Sequence, residues 1–162
     1  MNIIDRFRLD GKKALVTGAG RGLGRGFANA LAEAGCDVAV IDVIGENAER
    51  TAKEIAGSTG RKTIAITADI TKEEDVTRAI DTVVTEFGRL DIAVNNAGIS
   101  IPIKGMLDVT EAEWQKQMAV NLHGTWHCLR EEGRVMIPNG YGKIINTGSI
   151  CGHVIWPDPQ LP

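Results

Sequence analysis

Residues 12–24 read Lys-Lys-Ala-Leu-Val-Thr-Gly-Ala-Gly-Arg-Gly-Leu-Gly, an apolar run that breaks into four glycines within seven positions, Gly18, Gly20, Gly22 and Gly24. No other stretch narrows the fold as far. Ala14, Leu15 and Val16 suit a strand buried on both faces. Leu23, Phe27, Ala30, Leu31 and Ala34 then recur at helical spacing, and Gly35 ends the helix they predict. A glycine-rich turn between strand and helix lets an anion approach the backbone, where free N–H groups and the helix dipole stabilise negative charge. A diphosphate meets that description.

The common dinucleotide fingerprint G-x-G-x-x-G is absent as a strict string, and Thr17-Gly18-x-x-x-Gly22-x-Gly24 stands in its place. This motif resembles the phosphate loop of the short-chain dehydrogenase/reductase family. The resemblance implies a Rossmann-type doubly wound parallel sheet in an α/β, three-layer arrangement, with Gly18, Arg21, Gly22, Leu23 and Gly24 at a nicotinamide cofactor. It covers essentially the whole chain, but only about the first two-thirds of a family member's length.

Asp37–Asp42 reads as a second buried strand ending in a carboxylate 18 residues beyond Gly24. In dinucleotide-binding folds such an acid accepts hydrogen bonds from the adenosine ribose and repels a 2′-phosphate. Asp42, followed by Val43, therefore favours NAD. Arg21 pulls the other way, because NADP-preferring relatives often carry a basic residue there. A carboxylate beside the ribose faces a 2′-phosphate with like charge, whereas an arginine can swing to solvent, so Asp42 outweighs it and an NADP-dependent reductase is the weaker alternative.

Next come a charged helix over 46–56 closed by Gly57, a strand over 62–68, and Asp69-Ile70, where the resemblance places an aspartate on the adenine amine. Thr71-Lys72-Glu73-Glu74 reads as a capping box opening a helix through Val76, Ile80, Val83, Val84 and Phe87, stopped by Gly88. Unbroken alternation of strand and helix implies parallel strands with right-handed crossovers.

A fourth strand over 90–94 runs into Asn95-Asn96-Ala97-Gly98, a second mark of the family. The resemblance implies that this element stabilises the central sheet and lines the cofactor's ribose side, with Asn95, Ala97 and Gly98 among the binding residues. After a loop containing Pro102, Thr110-Glu111-Ala112-Glu113 forms a second capping box, opening a long helix that ends near Pro138. Family members make their main dimer contact through such a helix, so a homodimer or homotetramer is expected. Asn121 within it matches the asparagine whose backbone carbonyl binds a relay water. A fifth strand over 142–149 delivers Ser149, matching the catalytic serine that hydrogen-bonds the substrate carbonyl oxygen. Gly148 before it departs slightly from the usual serine or alanine.

Family chemistry also needs a tyrosine with a lysine four residues on, a dozen residues or a little more after the serine. The sequence stops 13 residues after Ser149 without that pair. Tyr141 is the only tyrosine, precedes the fifth strand and has no Tyr-x-x-x-Lys pattern. Residues 1–162 therefore read as a single dinucleotide-binding domain, incomplete on its C-terminal side. The expected activity is NAD(H)-dependent interconversion of a secondary alcohol and a ketone of sugar, polyol or 3-oxoacyl type, with residues 151–162, including His153 and Trp156, bordering the substrate. A non-catalytic NAD-binding fragment or regulatory protein is the alternative if the polypeptide ends at Pro162.

A net charge of -3 and the lack of a basic tract argue against nucleic acid or an anionic membrane as partner. No signal-peptide core or bilayer-length apolar run is present, which makes a cytoplasmic location the default. Cys36, Cys128 and Cys151 are far apart and odd in number, against a disulfide framework. His123 and His127 share a helix face without the glutamate of H-E-x-x-H, so no metal site is expected.

Overall fold

The computed structural model describes residues 2–102 and 104–150, so the expected substrate-side segment with His153 and Trp156, and Cys151, lie outside the described residues. Five strands, Lys13–Thr17 (β1), Asp37–Asp42 (β2), Thr63–Thr67 (β3), Ile92–Asn95 (β4) and Lys143–Asn146 (β5), form one parallel sheet in the order β3-β2-β1-β4-β5. In β1, Leu15 stands opposite Ala39 and Ala93. Alternation sends Ala14 and Val16 to one face and Leu15 to the other.

Helices cover both faces and give the three layers. Ala14, Val16, Val38, Val40 and Val94 pack with Ala28 and Ala32 of α1 (Gly22–Glu33) and Ala48, Ala52 and Ile55 of α2 (Gly45–Thr59). Leu15, Ala39, Ile41 and Ala93 pack with Val76, Ile80 and Val83 of α3 (Glu73–Phe87) and with Cys128 and Met136 of α5 (Thr125–Met136). β3 and β5 are the edge strands, and Ile145 of β5 is 54% exposed. Among the described residues no helix is long and apolar enough to cross a membrane.

Four details differ from the sequence expectation. The predicted stripe of α1 is not its buried face: Leu23 is 71% and Phe27 36% exposed, while Gly24, Ala28 and Ala32 face the sheet. A helix that starts at a turn pressed against strand ends lies too close to the sheet for large side chains. In α2, Gly57 is interior and the left-handed cap is Gly60, with φ 68°, whose N–H donates to the Ala56 carbonyl. The capping box at Thr71 does not form. Thr71 Oγ1 instead donates to Asp69 Oδ1 (2.8 Å), and the Asp69 N–H donates to Asp75 Oδ2 (3.1 Å), leaving Lys72 at the N-cap.

The fourth is the long helix. Thr110 and Glu113 form their capping box in full, opening α4 (Glu111–Met118). The helix then widens into a π-helical stretch, Ala119–Gly124, before continuing as α5. Asn121 lies in that stretch, a placement typical of functional positions.

Candidate functional site

β1 and β4 are neighbours although three helices and two strands separate them in sequence, so the strand order reverses between them. Open parallel sheets bind ligands at the carboxyl ends of strands at such a reversal. A cavity of about 680 Å³ lies there, walled by the β1–α1 turn, the ends of β2 and β3, the segment after β4 and the last turn of α4. Gly18, Arg21, Gly22, Leu23 and Gly24 line it from the turn, Asp42 and Val43 from the end of β2 and just beyond, Asp69 and Ile70 from the segment after β3, and Ala97 and Gly98 from the far side.

The turn is pressed against the segment after β4. Thr17 Oγ1 accepts from the Asn96 and Ala97 N–H groups, both at 3.1 Å, and Asn96 Nδ2 donates to the Thr17 carbonyl at 3.1 Å and to that of Gly18 at 3.3 Å. These bonds stitch the two strand ends together beneath the cavity. Sequence reasoning named neither Thr17 nor Asn96 as a site residue. The available signal was the Asn-Asn doublet itself, because alternation at a strand end turns its two side chains different ways.

Asp42 is buried, and both of its carboxylate oxygens are held. Oδ2 accepts from the Gly20 N–H at 2.8 Å and Oδ1 from the Ile44 N–H at 3.0 Å. The close approach explains Gly20, where a Cβ would sit 2.6 Å from Asn47 Cβ and 2.8 Å from Asp42 Oδ2. Each carboxylate oxygen keeps a further lone pair for a ligand. Asp69 Oδ1 accepts from both the N–H and the hydroxyl of Thr71. Behind it, Ile70 packs against Gly124, and its carbonyl lies 3.0 Å from His127 Nδ1. Arg21 is exposed at the rim.

Three expected site residues are not cavity walls. Asn121 grips the loop after β4, its Oδ1 accepting from the Ile99 N–H (2.9 Å) and its Nδ2 donating to the Ile99 carbonyl (2.8 Å). Its own carbonyl accepts from Thr125 Oγ1 at 3.1 Å. Ser149 is exposed, three residues past the end of β5 and on the carboxyl side of the sheet. Asn95 is buried and turned away from the cavity, donating to Glu132 Oε2 at 3.1 Å and to Asn146 Oδ1 at 3.0 Å.

Tyr141 stands at the opposite, amino-terminal end of the strands, before β5, with Lys12 Nζ 4.0 Å from its ring centroid. Cys36 and Cys128 are free and buried, and burial pushes their thiols up to about 11 and about 12, which leaves both protonated and unreactive at neutral pH. Among the described residues no three histidine, cysteine or carboxylate side chains gather into a metal-binding group.

A parallel sheet in this order, with a glycine turn and a buried carboxylate at its reversal point, defines a Rossmann-type fold. The family model for short chain dehydrogenases matches residues 12–159, and the chain belongs to that family. It is 40% identical over 145 residues to a short chain dehydrogenase/reductase of Aspergillus oryzae, covering 89% of this chain and 56% of that protein. A probable NADP-dependent mannitol dehydrogenase of Yarrowia lipolytica is 34% identical over 155 residues, 95% of this chain and 55% of its own. Among solved structures, NAD+-bound xylitol dehydrogenase matches with a TM-score of 0.87 and 33% identity, over 93% of this chain and 57% of that one. The chain thus spans little more than half the length of these relatives.

Proposed function

We propose that this chain is the cofactor-binding part of an NAD(H)-dependent oxidoreductase interconverting a secondary alcohol and a ketone, with polyols or sugars as the favoured substrates. The observation that carries the cofactor reading is the Asp42 carboxylate, fixed by two backbone donors at the cavity wall. The residues present fit the group. Gly22 has φ 56° with nothing within 4 Å of a built Cβ, so the turn leaves open space where a diphosphate would meet the N-terminus of α1. Asp42 would accept hydrogen bonds from the adenosine ribose hydroxyls and repel a 2′-phosphate. On the family resemblance, Asp69 would meet the adenine, and Ala97 and Gly98 would line the cofactor's ribose side.

When bound, the nicotinamide donates or accepts the hydride. The Ser149 hydroxyl would donate to the substrate carbonyl oxygen as negative charge builds there. Asn121 would offer its carbonyl to a proton-relay water, held in place by its paired bonds to Ile99. The proton-transferring tyrosine and lysine belong, on this reading, to a longer protein in which residues 1–162 form part of a single dinucleotide-binding domain, incomplete on its C-terminal side. Two relatives named for mannitol and xylitol support the polyol preference.

Arg21 at the cavity rim, together with the NADP-dependent name of one relative, favours a second reading in which NADP is the cofactor. Calorimetric titration of NAD and NADP separates the two. NAD should bind roughly tenfold tighter or better, because a buried like-charge contact costs a few kcal/mol. Asp42→Ala should erase that preference. A wild-type preference for NADP, unchanged in Asp42→Ala and lost in Arg21→Ala, would replace NAD with NADP in the proposal.

A further inference from the structure

We infer that Glu132 is a positioning residue held as a neutral carboxylic acid, paired with the Asn95 amide and through it with Asn146, and that this unit fastens the ends of β4 and β5 beneath the candidate site. Glu132 lies on α5 with none of its surface exposed. Asn95 Nδ2 spends its two hydrogens on Glu132 Oε2 and Asn146 Oδ1. That orientation gives both amide hydrogens an acceptor, whereas a flip would set the Asn95 oxygen against Asn146 Oδ1. Two buried oxygens are then left without a hydrogen-bond partner among the described residues, Asn95 Oδ1 and Glu132 Oε1.

If Glu132 were ionised, both orphans would be acceptors and a full charge would be buried beside them, each an expensive arrangement. One proton on Glu132 supplies the donor that the pair lacks. A carboxylic acid and a primary amide are self-complementary, with N–H to one carbonyl oxygen and O–H to the other. Removal of that proton leaves two buried acceptors with no donor.

Among the described residues, nothing lining the adjoining void bonds to Glu132 Oε1. β1 contributes Leu15 and Thr17, whose hydroxyl oxygen accepts from two backbone N–H groups and which makes no hydrogen bond to Glu132 Oε1. α3 contributes Val76, Ala79 and Ile80, and α5 contributes Cys128, a thiol pushed up to about 12 and therefore neutral. Glu131 beside it pairs with Arg134 at 2.7 Å, and Arg134 also holds Asp81. A small void of about 10 Å³ touches Glu132, at the lower limit for one water and with mostly apolar walls. Burial accordingly pushes the Glu132 carboxyl from an ordinary 4.5 up to about 7, against the opposing pull of the Asn95 hydrogen bond.

The position of this unit gives it a role. Asn95 immediately precedes Asn96 and Ala97, which tie down the glycine turn, and Asn146 is three residues before Ser149. The strand ends that carry both halves of the site are thus joined through the Asn95 amide, whose remaining acceptor the Glu132 proton would satisfy, whichever dinucleotide the cavity takes.

Three measurements on the full chain test this. In infrared spectra at pH 6, the unsubstituted protein should show a protonated-carboxyl carbonyl band that fades by pH 9 and is missing in Glu132→Gln. Because a raised carboxyl favours the native state only while protonated, its stabilising effect is complete below 4.5 and lost as pH rises through about 7. Thermal midpoints of the unsubstituted protein should therefore fall relative to Glu132→Gln across that interval. At pH 8, amide exchange at residues 96–98 and 147–149 should be several-fold faster than in Glu132→Gln, whose amide can pair with Asn95 at any pH. Absence of the band at pH 6, or a midpoint difference that does not change with pH, would overturn the inference. The infrared result on the unsubstituted protein decides even where Glu132→Gln yields no folded material.

Discussion

Gly24 and Gly18 are in contact across the glycine turn: a Cβ on Gly24 would lie 2.2 Å from the Gly18 carbonyl oxygen and 2.6 Å from Asn96 Nδ2. Neither is the free end of a flexible chain, because the Asn96 amide is held by two carbonyls. Gly24→Ala should therefore push the turn off the segment after β4, costing about 1–3 kcal/mol as overpacked sites do. Thermal melts should show the loss, and NAD titration should show affinity falling about tenfold or more. Gly26→Ala is the internal control. It adds a methyl to an exposed position of the same helix with nothing within 4 Å, and should stabilise the protein by about 0.5–1 kcal/mol.

Asn121→Ala removes both bonds to Ile99 at once. The contact is exposed, so water replaces part of what is lost, and a stability decrease of about 1 kcal/mol is expected from denaturant titration. The local signature is sharper. Amide exchange at Ile99 should speed up markedly while exchange in β1 and β2 follows only the global change. Asn121→Asp keeps the acceptor for the Ile99 N–H but faces the Ile99 carbonyl with an anion, and should recover little.

How far the sequence could be read depended on whether a feature was local. β2 was legible to the residue, because Asp37 and Asp42 bracket an unbroken apolar run. The buried face of α1 was not, because apolar periodicity weights large side chains whereas close approach to a sheet selects Gly24, Ala28 and Ala32. Gly57 and Gly60 are equally good caps as letters, and only the backbone path shows which one turns left-handed. Thr71 had two acidic suitors, and Asp69 two residues before it won over Glu74 three residues after. The π-helical stretch has no compositional signature.

The same distinction runs through the site. The loop residues expected at a cofactor do line one cavity, since each follows directly from its strand end. Asn95 does not, because its partner Glu132 is 37 residues away on a helix. No local pattern announces that a buried glutamate will meet an amide there.

Glu113 gives a pH prediction opposite in sign to that of Glu132. The Lys104 ammonium beside it, with the Thr110 N–H and hydroxyl, holds its carboxyl down at about 2 instead of an ordinary 4.5. A depressed carboxylate contributes stability that is fully present above the ordinary value and lost as pH falls through the depressed one. Between pH 4.5 and about 2 the start of α4 should therefore loosen. Glu113→Gln should flatten that limb of the stability profile while leaving the region above pH 5 parallel to the unsubstituted protein. Circular dichroism melts across this range make the comparison, and identical acid limbs would remove the capping box from the list of acid-sensitive contacts.

Trp126 tests the expected self-association. On the long helix, Trp114 is 47%, Leu122 53% and Trp126 51% exposed, an unusual display of large apolar groups for one element. The Arg130 guanidinium sits 4.8 Å from the Trp126 ring, covering part of one face. Burying the remaining exposed half of such side chains against a second copy would gain about 1–1.5 kcal/mol each, counted twice across a two-fold interface. Trp126→Glu places a charge where that contact would form. Because the ring is half exposed within one chain, the substitution should leave the melting of the isolated fold within a few degrees. Sedimentation velocity should show the unsubstituted protein as a dimer or tetramer and Trp126→Glu shifted to smaller species. Equal masses for the two proteins would mean that this helix is not the contact.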